Sequence, residues 1–230
     1  MNYAGTELAL FQHALNWKGY WSSTVKRSVS GRVLDVGSGI GANASFLCNE
    51  RVKSYTFLEP DAELLAQTDP FEKVGGPIVF RKVNGTTADL LGDVFDTVLY
   101  IDVLEHINDA RAELERAFHL LAPSGTLILV VPAFQFLYSP FDAAIGHFRR
   151  YDRRMLRDHV PDGMKQEKLH YLDSAGLILS LGNKLVMRQA TPRTSQIRFW
   201  DRRIIPLSKI IDPCIGYSFG RSLVAIYRKV

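Results

Sequence analysis

Short runs of consecutive apolar residues alternate along the chain with longer stretches whose apolar positions recur every three or four residues. That is the pattern of βα units wound around a parallel sheet. Arg32-Val-Leu-Asp-Val36, Tyr55-Thr-Phe-Leu58, Ile78 to Val83, Phe95 to Ile101 and Thr126 to Val131 are the predicted strands of this series. The run Phe95-Asp-Thr-Val-Leu-Tyr-Ile101 is nearly all apolar, as suits a central strand buried on both faces. The glycines of Gly37 to Gly41 turn the first strand into a helix over 42–50, a short helix starts at Asp61, and Asn84-Gly85 stops the third strand. Ala110, Leu114, Ala117, Phe118 and Leu121 mark one face of a helix that Pro123 and Gly125 terminate. A short helix over 153–159, with Asp152 as its cap, leads to a strand over 166–171, and Ser222 to Arg228 is the last strand.

The remaining segments are of three kinds. Residues 6–29 read as a helix packed on two sides, with Leu8, Phe11 and Leu15 on one stripe and Leu10, Ala14, Trp17 and Trp21 on another. Residues 132–150 are irregular and rich in Phe and Tyr. Residues 172–221 carry apolar stripes broken by Gly182, Pro192, Pro206 and Pro213, too long for a plain connection, and are predicted to be a helical insertion. The organisation expected is one domain over 1–230, with a helical cap at 1–30, a core at 31–150 and a substrate cap at 172–221.

Composition narrows the class without identifying a reaction. With 230 residues, 47% hydrophobic and 23% charged, the chain can bury its own core, and disorder, collagen and coiled coil are excluded. Cys48 and Cys214 have no spacing suited to a disulfide framework or a zinc site, so free thiols and a reducing cytoplasm are expected. Neither a signal-peptide pattern in Met1 to Glu7 nor an apolar run of about 18 residues is present, which argues against secretion and membrane spanning. The net charge of +4 is unevenly spread: residues 149–230 hold 17 Lys+Arg against 7 Asp+Glu, leaving the first 148 residues acidic.

The informative segment is Val33-Leu34-Asp35-Val36-Gly37-Ser38-Gly39-Ile40-Gly41. A glycine loop between a first strand and a first helix lets backbone N–H groups approach a nucleotide-like ligand. Glu59, at the end of the second strand and twenty residues after Gly39, is placed to accept hydrogen bonds from both hydroxyls of a ribose. The glycines are spaced G-x-G-x-G rather than G-x-G-x-x-G, and Asp35 would repel a pyrophosphate but attract an α-ammonium group.

With these features the chain resembles the class I S-adenosylmethionine-dependent methyltransferases. Four motifs fall in order over residues 31–131: the glycine loop, Glu59, Phe95-Asp-Thr-Val-Leu-Tyr-Ile-Asp-Val-Leu-Glu-His106, and Leu120-Leu-Ala-Pro-Ser-Gly-Thr-Leu127. The resemblance implies a Rossmann-like α/β fold: a seven-stranded, mostly parallel sheet with one antiparallel strand, helices on both faces and a helical insertion before the last strand. It implies S-adenosyl-L-methionine as cofactor and S-adenosyl-L-homocysteine as product. Asp35, Gly37, Ser38, Gly39 and Gly41 would hold the methionine part, Glu59 and Pro60 the ribose, and Ile101 and Asp102 the methionine side. For adenine, either Thr87 with backbone groups or Asp89 would serve. Asn16-Trp17, Gly146 to Tyr151 and Phe219 to Ala225 further resemble a bacterial subgroup associated with pathways that make saccharides, lipids or secondary metabolites, a resemblance that implies no single substrate.

Methyl transfer from a sulphonium is an in-line displacement, for which orientation supplies up to roughly 7–11 kcal/mol and a positioned base about 10²–10⁴-fold. His147 and His106 are the candidate catalytic residues. Phe134, Tyr138, Arg149, Arg150 and Tyr151 are the candidate acceptor contacts, the two arginines being suited to a phosphate or carboxylate. Trp17, Tyr20 and Trp21 either close over the cofactor or pack the core. The acceptor expected is a small molecule, anionic or lipid-linked. Arg202, Arg203 and Lys209 beside Ile204, Ile205, Leu207, Ile210 and Ile211 suggest peripheral contact of 198–211 with the inner membrane face. No nucleic-acid-binding module is recognisable, and no His, Cys or carboxylate grouping has metal-ligand spacing, so no metal is expected. The competing readings are an NAD(P)-dependent oxidoreductase and a catalytically silent cofactor-fold protein at a membrane or in a complex.

Overall fold

The computed structural model describes residues 13–68, 78–90, 92–182 and 193–230. In chain order the elements are α1 (Leu15–Val25), β1 (Gly31–Val36), α2 (Ala44–Leu47), β2 (Val52–Glu59), α3 (Ala62–Ala66), β3 (Val79–Asn84), β4 (Phe95–Ile101), α4 (Ala110–Leu120), β5 (Leu121–Pro132), α5 (Pro140–Ala144), α6 (Arg153–His159), β6 (Met164–Leu172), α7 (Ser174–Gly182), α8 (Thr194–Phe199), α9 (Ile205–Cys214) and β7 (Ser222–Lys229). A π-helical turn over Trp200–Ile204 joins α8 to α9.

The seven strands form one sheet in the order β3-β2-β1-β4-β5-β7-β6. β7 runs antiparallel to both neighbours, and the other pairs are parallel, as the resemblance implied. Because side chains alternate along a strand, each central strand feeds two cores. Leu99, Ile101, Ile128 and Val130 face the layer containing α1 and α9, while Val98, Tyr100, Leu127 and Leu129 face the layer containing α4 and α6.

Several boundaries differ from the sequence reading, each for a local reason. The helix expected over 42–50 is only Ala44–Leu47, because the Asn49 side chain donates to the carbonyls of Leu47 and Val29 and draws the chain out of the helix. The fifth strand begins at Leu121 rather than Thr126. Its pairing with β4 jumps from Phe95↔Leu121 to Thr97↔Thr126, and the Pro123–Gly125 turn, with Ser124 at φ 59°, sits as an irregularity inside the strand. The irregular segment 132–150 contains α5, started by a capping box between Ser139 and Asp142. Leu8, Leu10 and Phe11 lie outside the described residues.

The insertion is helical on both sides of residues 183–192, and three buried aspartates fasten it to the rest of the molecule. Asp201 accepts hydrogen bonds from the backbone N–H of Asn16 (3.3 Å) and Trp17 (2.9 Å), capping α1 from 184 residues away, where Ala14 supplies no side-chain cap. Asp212 accepts from the Tyr20 hydroxyl (2.8 Å), the N–H groups of Asp173 and Ser174, and the Ser174 hydroxyl. Asp173 accepts from Trp200 Nε1 (2.8 Å) and Ser208 Oγ (2.7 Å). We expect Asp201→Ala to destabilise the protein by roughly 1–3 kcal/mol, since it removes a cap and leaves a buried N–H unpaired. Urea denaturation checks this, and a loss below about 0.5 kcal/mol would refute the tertiary cap.

Candidate active site

A cavity of about 820 Å³ opens along the carboxyl ends of the parallel strands. Its walls are the loop after β1, the end of β2, the turn after β3, the loops after β4 and β5, and the start of β7, with Trp17, Lys18 and Trp200 above. The volume sits in the upper range of small-molecule sites.

The glycine loop forms one wall. Gly37 has φ 63°, and a Cβ there would meet the Val103 side chain at 2.8 Å, so the turn needs glycine both for its dihedral and for its neighbour. The Glu59 carboxylate ties this loop to β2: Oε2 accepts from Gly39 N–H at 2.8 Å and Oε1 from Asp61 N–H at 3.1 Å. Burial raises its pKa, and those two backbone donors oppose the shift. Asp35 lies beneath the loop rather than in the cavity wall. It is fully buried, accepts from the Tyr55 hydroxyl at 2.9 Å, and is pushed up to about 7 by desolvation, which outweighs the hydrogen bonds from Tyr55 and Asn43.

Past β4 the chain turns at Asp102, whose φ of 54° is held by its N–H donating to Val130 O at 2.8 Å. Its carboxyl reaches the cavity and is pushed up to about 6 by desolvation, against the attraction of His147, Arg221 and Lys18. Beside it the rings of His106 and His147 meet edge to face with centroids 4.6 Å apart. Burial, then the neighbouring His147, lowers His106 to about 4.

His147 is oriented by a network rooted in α5. Its Nδ1 lies 2.9 Å from Asp142 Oδ1, and its Nε2 lies 3.9 Å from Glu105 Oε1. Asp142 also accepts from Ser139 Oγ (2.7 Å) and from Arg150 Nε (2.8 Å) and a terminal guanidinium nitrogen (3.1 Å). Burial pushes the Asp142 carboxyl up, but His147, Arg150 and Ser139 hold it well below the ordinary carboxylate range.

Of the residues singled out in the sequence, the cavity wall holds Gly37, Ser38, Gly39, Glu59, Pro60, Thr87, Ile101, Asp102, His106, His147 and Arg150. Gly41 and Asp89 are outside it. Asp89 accepts from the Thr86 N–H (2.7 Å) and hydroxyl, so it shapes the turn while the Thr86–Ala88 segment faces the cavity. The Thr87 hydroxyl is engaged by Glu113 Oε2 at 3.0 Å.

The expected acceptor contacts are redistributed. Phe134, at φ 63°, stacks on Tyr171 and Phe136 away from the cavity. Tyr138 donates to the His147 carbonyl at 2.6 Å and holds that residue from behind. Tyr151 is core, its hydroxyl donating to Leu104 O. Arg149 reaches the Asn108 carbonyl at 2.6 Å, and Arg150 is spent on Asp142. Trp17 does line the cavity, whereas Tyr20 and Trp21 are buried in the core.

Sequence reasoning missed Glu105, Trp200 and Arg221. Arg221 enters the wall from the start of β7, its guanidinium 5.0 Å from the Trp200 ring centre. It also missed a convergence of three residues able to ligate a metal, Glu105, His106 and His147, whose ligand atoms all lie within 4.8 Å of one another. Forty residues of chain separate His106 from His147, so no spacing rule could register them.

The family model described as "Methyltransferase domain" matches residues 17–179. An uncharacterized methyltransferase of Mycobacterium tuberculosis and one of Mycobacterium bovis are each 36% identical over 98 residues, 43% of this chain and 49% of the relative. The match spans about half the length of those curated relatives. Among solved structures, a SAM-dependent methyltransferase from Thermotoga maritima has a TM-score of 0.63 at 17% identity, covering 99% of this chain and 95% of that one. The N-methyltransferase NodS from Bradyrhizobium japonicum, in complex with S-adenosyl-L-homocysteine, has 0.55 at 14%, covering 95% and 87%. The [4+2]-cyclase SpnF has 0.59 at 14%, covering 98% and 95%, so the fold alone does not set the reaction.

The raised Asp35 carboxyl has a consequence for stability. The folded state holds this proton to about pH 7, while the unfolded chain releases it near pH 4, so its stabilising contribution is full below about pH 4 and is lost as pH rises through 7. Asp35→Asn should therefore stabilise the ligand-free protein by roughly 2–4 kcal/mol at pH 8 and have little effect at pH 4. Denaturation at the two pH values measures this, and an equal effect at both would contradict it.

Proposed function

The chain belongs to the methyltransferase domain family, and from that premise we propose that it transfers a methyl group from S-adenosyl-L-methionine to a small-molecule acceptor. The observation that carries the reading is Glu59. An ionised carboxylate has about four acceptor sites; two are used on Gly39 and Asp61, leaving capacity for the paired hydroxyls of a ribose at the cavity wall.

The other walls fit the rest of the cofactor. The Thr86–Ala88 turn and Leu58 border a slot for adenine, and the Gly37–Gly39 backbone borders the methionine part. Asp102 at the cavity and Asp35 beneath the loop make this end favourable for an ammonium and a sulphonium and unfavourable for a pyrophosphate. Lys18 and Arg221 supply positive charge for a carboxylate at the roof. When bound, the cofactor supplies an electrophilic methyl group. The protein's part is to orient the acceptor, exclude water beneath Trp17 and Trp200, and hold the reacting atom against His106 and His147. The insertion over 172–221 acts as the substrate cap, with Trp200 and Arg221 as its contributions to the cavity.

Saccharide and lipid-linked acceptors are the finer classes. The lipid class is favoured by an exposed apolar strip on the insertion, Phe199, Leu207 and Ile210, the last 68% exposed, interleaved with exposed Arg202, Arg203 and Lys209. No helix among the described residues is long and apolar enough to cross a membrane, so such contact would be peripheral. We expect the protein to float with anionic liposomes and Ile210→Asp to abolish flotation; a wild type that stays at the bottom of the gradient would remove contact with the inner membrane face and favour a freely diffusing acceptor in the cytoplasm.

Calorimetric titration tests the reading itself. S-adenosyl-L-methionine and S-adenosyl-L-homocysteine should bind and NAD(H) should not, and Glu59→Gln should weaken both cofactor forms by roughly 1.5–3 kcal/mol. Binding of NAD(H) alone would favour the oxidoreductase, and no binding at all would favour a catalytically silent fold.

A further inference from the structure

We propose that Glu105, His106 and His147 form a binding site for one divalent transition-metal ion that holds the oxygen of a hydroxyl-bearing acceptor. The proposal rests on the methyl-transfer reading and deepens it.

One ligand atom from each of the three side chains lies within 4.8 Å of the other two, and all three line the cavity. Tetrahedral coordination at ~2.1 Å puts ligand atoms ~3.4 Å apart, so rotation of these side chains by a small amount closes the group around an ion. The His147 Nε2 to Glu105 Oε1 separation, 3.9 Å, is already near that spacing.

The surroundings are those of a ligand set rather than of a chance cluster. Asp142 lies 2.9 Å from His147 Nδ1 and is itself fixed by Arg150 and Ser139, so Nδ1 is the nitrogen engaged by Asp142 and Nε2 is the one left facing Glu105. A carboxylate behind a histidine, fixing its tautomer and ring orientation, is the usual outer-shell support of a metal-bound imidazole. The Tyr138 hydroxyl holds the His147 backbone as well. Two imidazoles and one carboxylate favour Zn²⁺, Fe²⁺, Mn²⁺ or Co²⁺ over Mg²⁺ or Ca²⁺, which prefer oxygen ligands. Three protein ligands leave coordination positions open toward the cavity for substrate.

The ion would act as a Lewis acid and as a template. On coordination the acceptor hydroxyl loses its proton to solvent. The oxygen pair then forms the O–CH₃ bond while the C–S bond breaks and its electron pair stays on sulphur, giving a methyl ether and neutral S-adenosyl-L-homocysteine. His147 serves here as a ligand rather than as the proton acceptor suggested by the sequence.

The test uses the full chain, stripped with EDTA and dialysed. Zn²⁺ affinity is measured by competition with a chromophoric chelator, and Co²⁺ substitution is followed by visible absorption. We expect one Zn²⁺ per chain, at least about 10–100-fold weaker binding in Glu105→Gln and His106→Asn, and unchanged binding in Cys214→Ser. Wild-type protein should also give an intense Co²⁺ spectrum of low coordination number, a readout that needs no variant. Zn²⁺ binding below one equivalent, equal affinity in all variants, or a six-coordinate aqua-like Co²⁺ spectrum would overturn the site. S-adenosyl-L-homocysteine titrated into the same samples separates the two claims: binding of it without Zn²⁺ removes only the metal site, whereas loss of both removes the methyl-transfer reading too.

Discussion

The parallel pairing of β1 with both β2 and β4 governs everything functional in this molecule. From that central strand the chain must leave for β2 on one side and return for β4 on the other. The loops at the carboxyl ends of β1 and β4 therefore part company and leave a crevice between them, the topological switch point of an open α/β sheet. Gly37 to Gly39 and Asp102 face each other across that gap, Glu59 closes one flank, and the loop after β5 closes the other. Chemistry-bearing residues from five strand ends thus meet in one place because of strand order.

Buried carboxylates then give the crevice its shape. Asp142, Asp173, Asp201 and Asp212 are each at most 4% exposed, and each is satisfied by several donors, those of Asp142 lying within eight residues and those of the other three reaching across the chain. A charge taken out of water is tolerated only when its acceptor sites are filled. Each aspartate therefore demands a particular arrangement: Asp201 sets where α1 begins, Asp212 joins α1 to β6 and α7, and Asp142 sets the orientation of His147. The insertion and the N-terminal helix reach the cavity as Trp200 and Trp17 because these anchors hold them there.

Much of the fold was legible in the sequence, and for identifiable reasons. The strands through Leu34, Leu99 and Leu129 were read from continuous apolar runs, and α6 from Asp152, which does accept from the Met155 N–H. Glu59 was legible because its partner Gly39 lies at a fixed offset dictated by the βαβ unit. What escaped notice was set by which side chains the folded loops bring together. The cap of α1 sits on residue 201, the orienting acid of His147 lies behind a capping box that reads as a purely local motif, and the three-ligand cluster joins two loops. Arg149 and Tyr151 look like ligand contacts in a sequence, but backbone carbonyls and the core claim them.

On the proposed reading the crevice holds an adenosyl ribose at Glu59 and aims the reacting end of the cofactor at Glu105, His106 and His147. A crystal structure of the protein with S-adenosyl-L-homocysteine tests it most directly. Both ribose hydroxyls should lie within hydrogen-bonding distance of the Glu59 carboxylate, with adenine against the Thr86–Ala88 turn and the sulphur facing Asp102 and the histidine pair. Density with the ribose away from Glu59, or the sulphur turned toward the adenine slot, would contradict it.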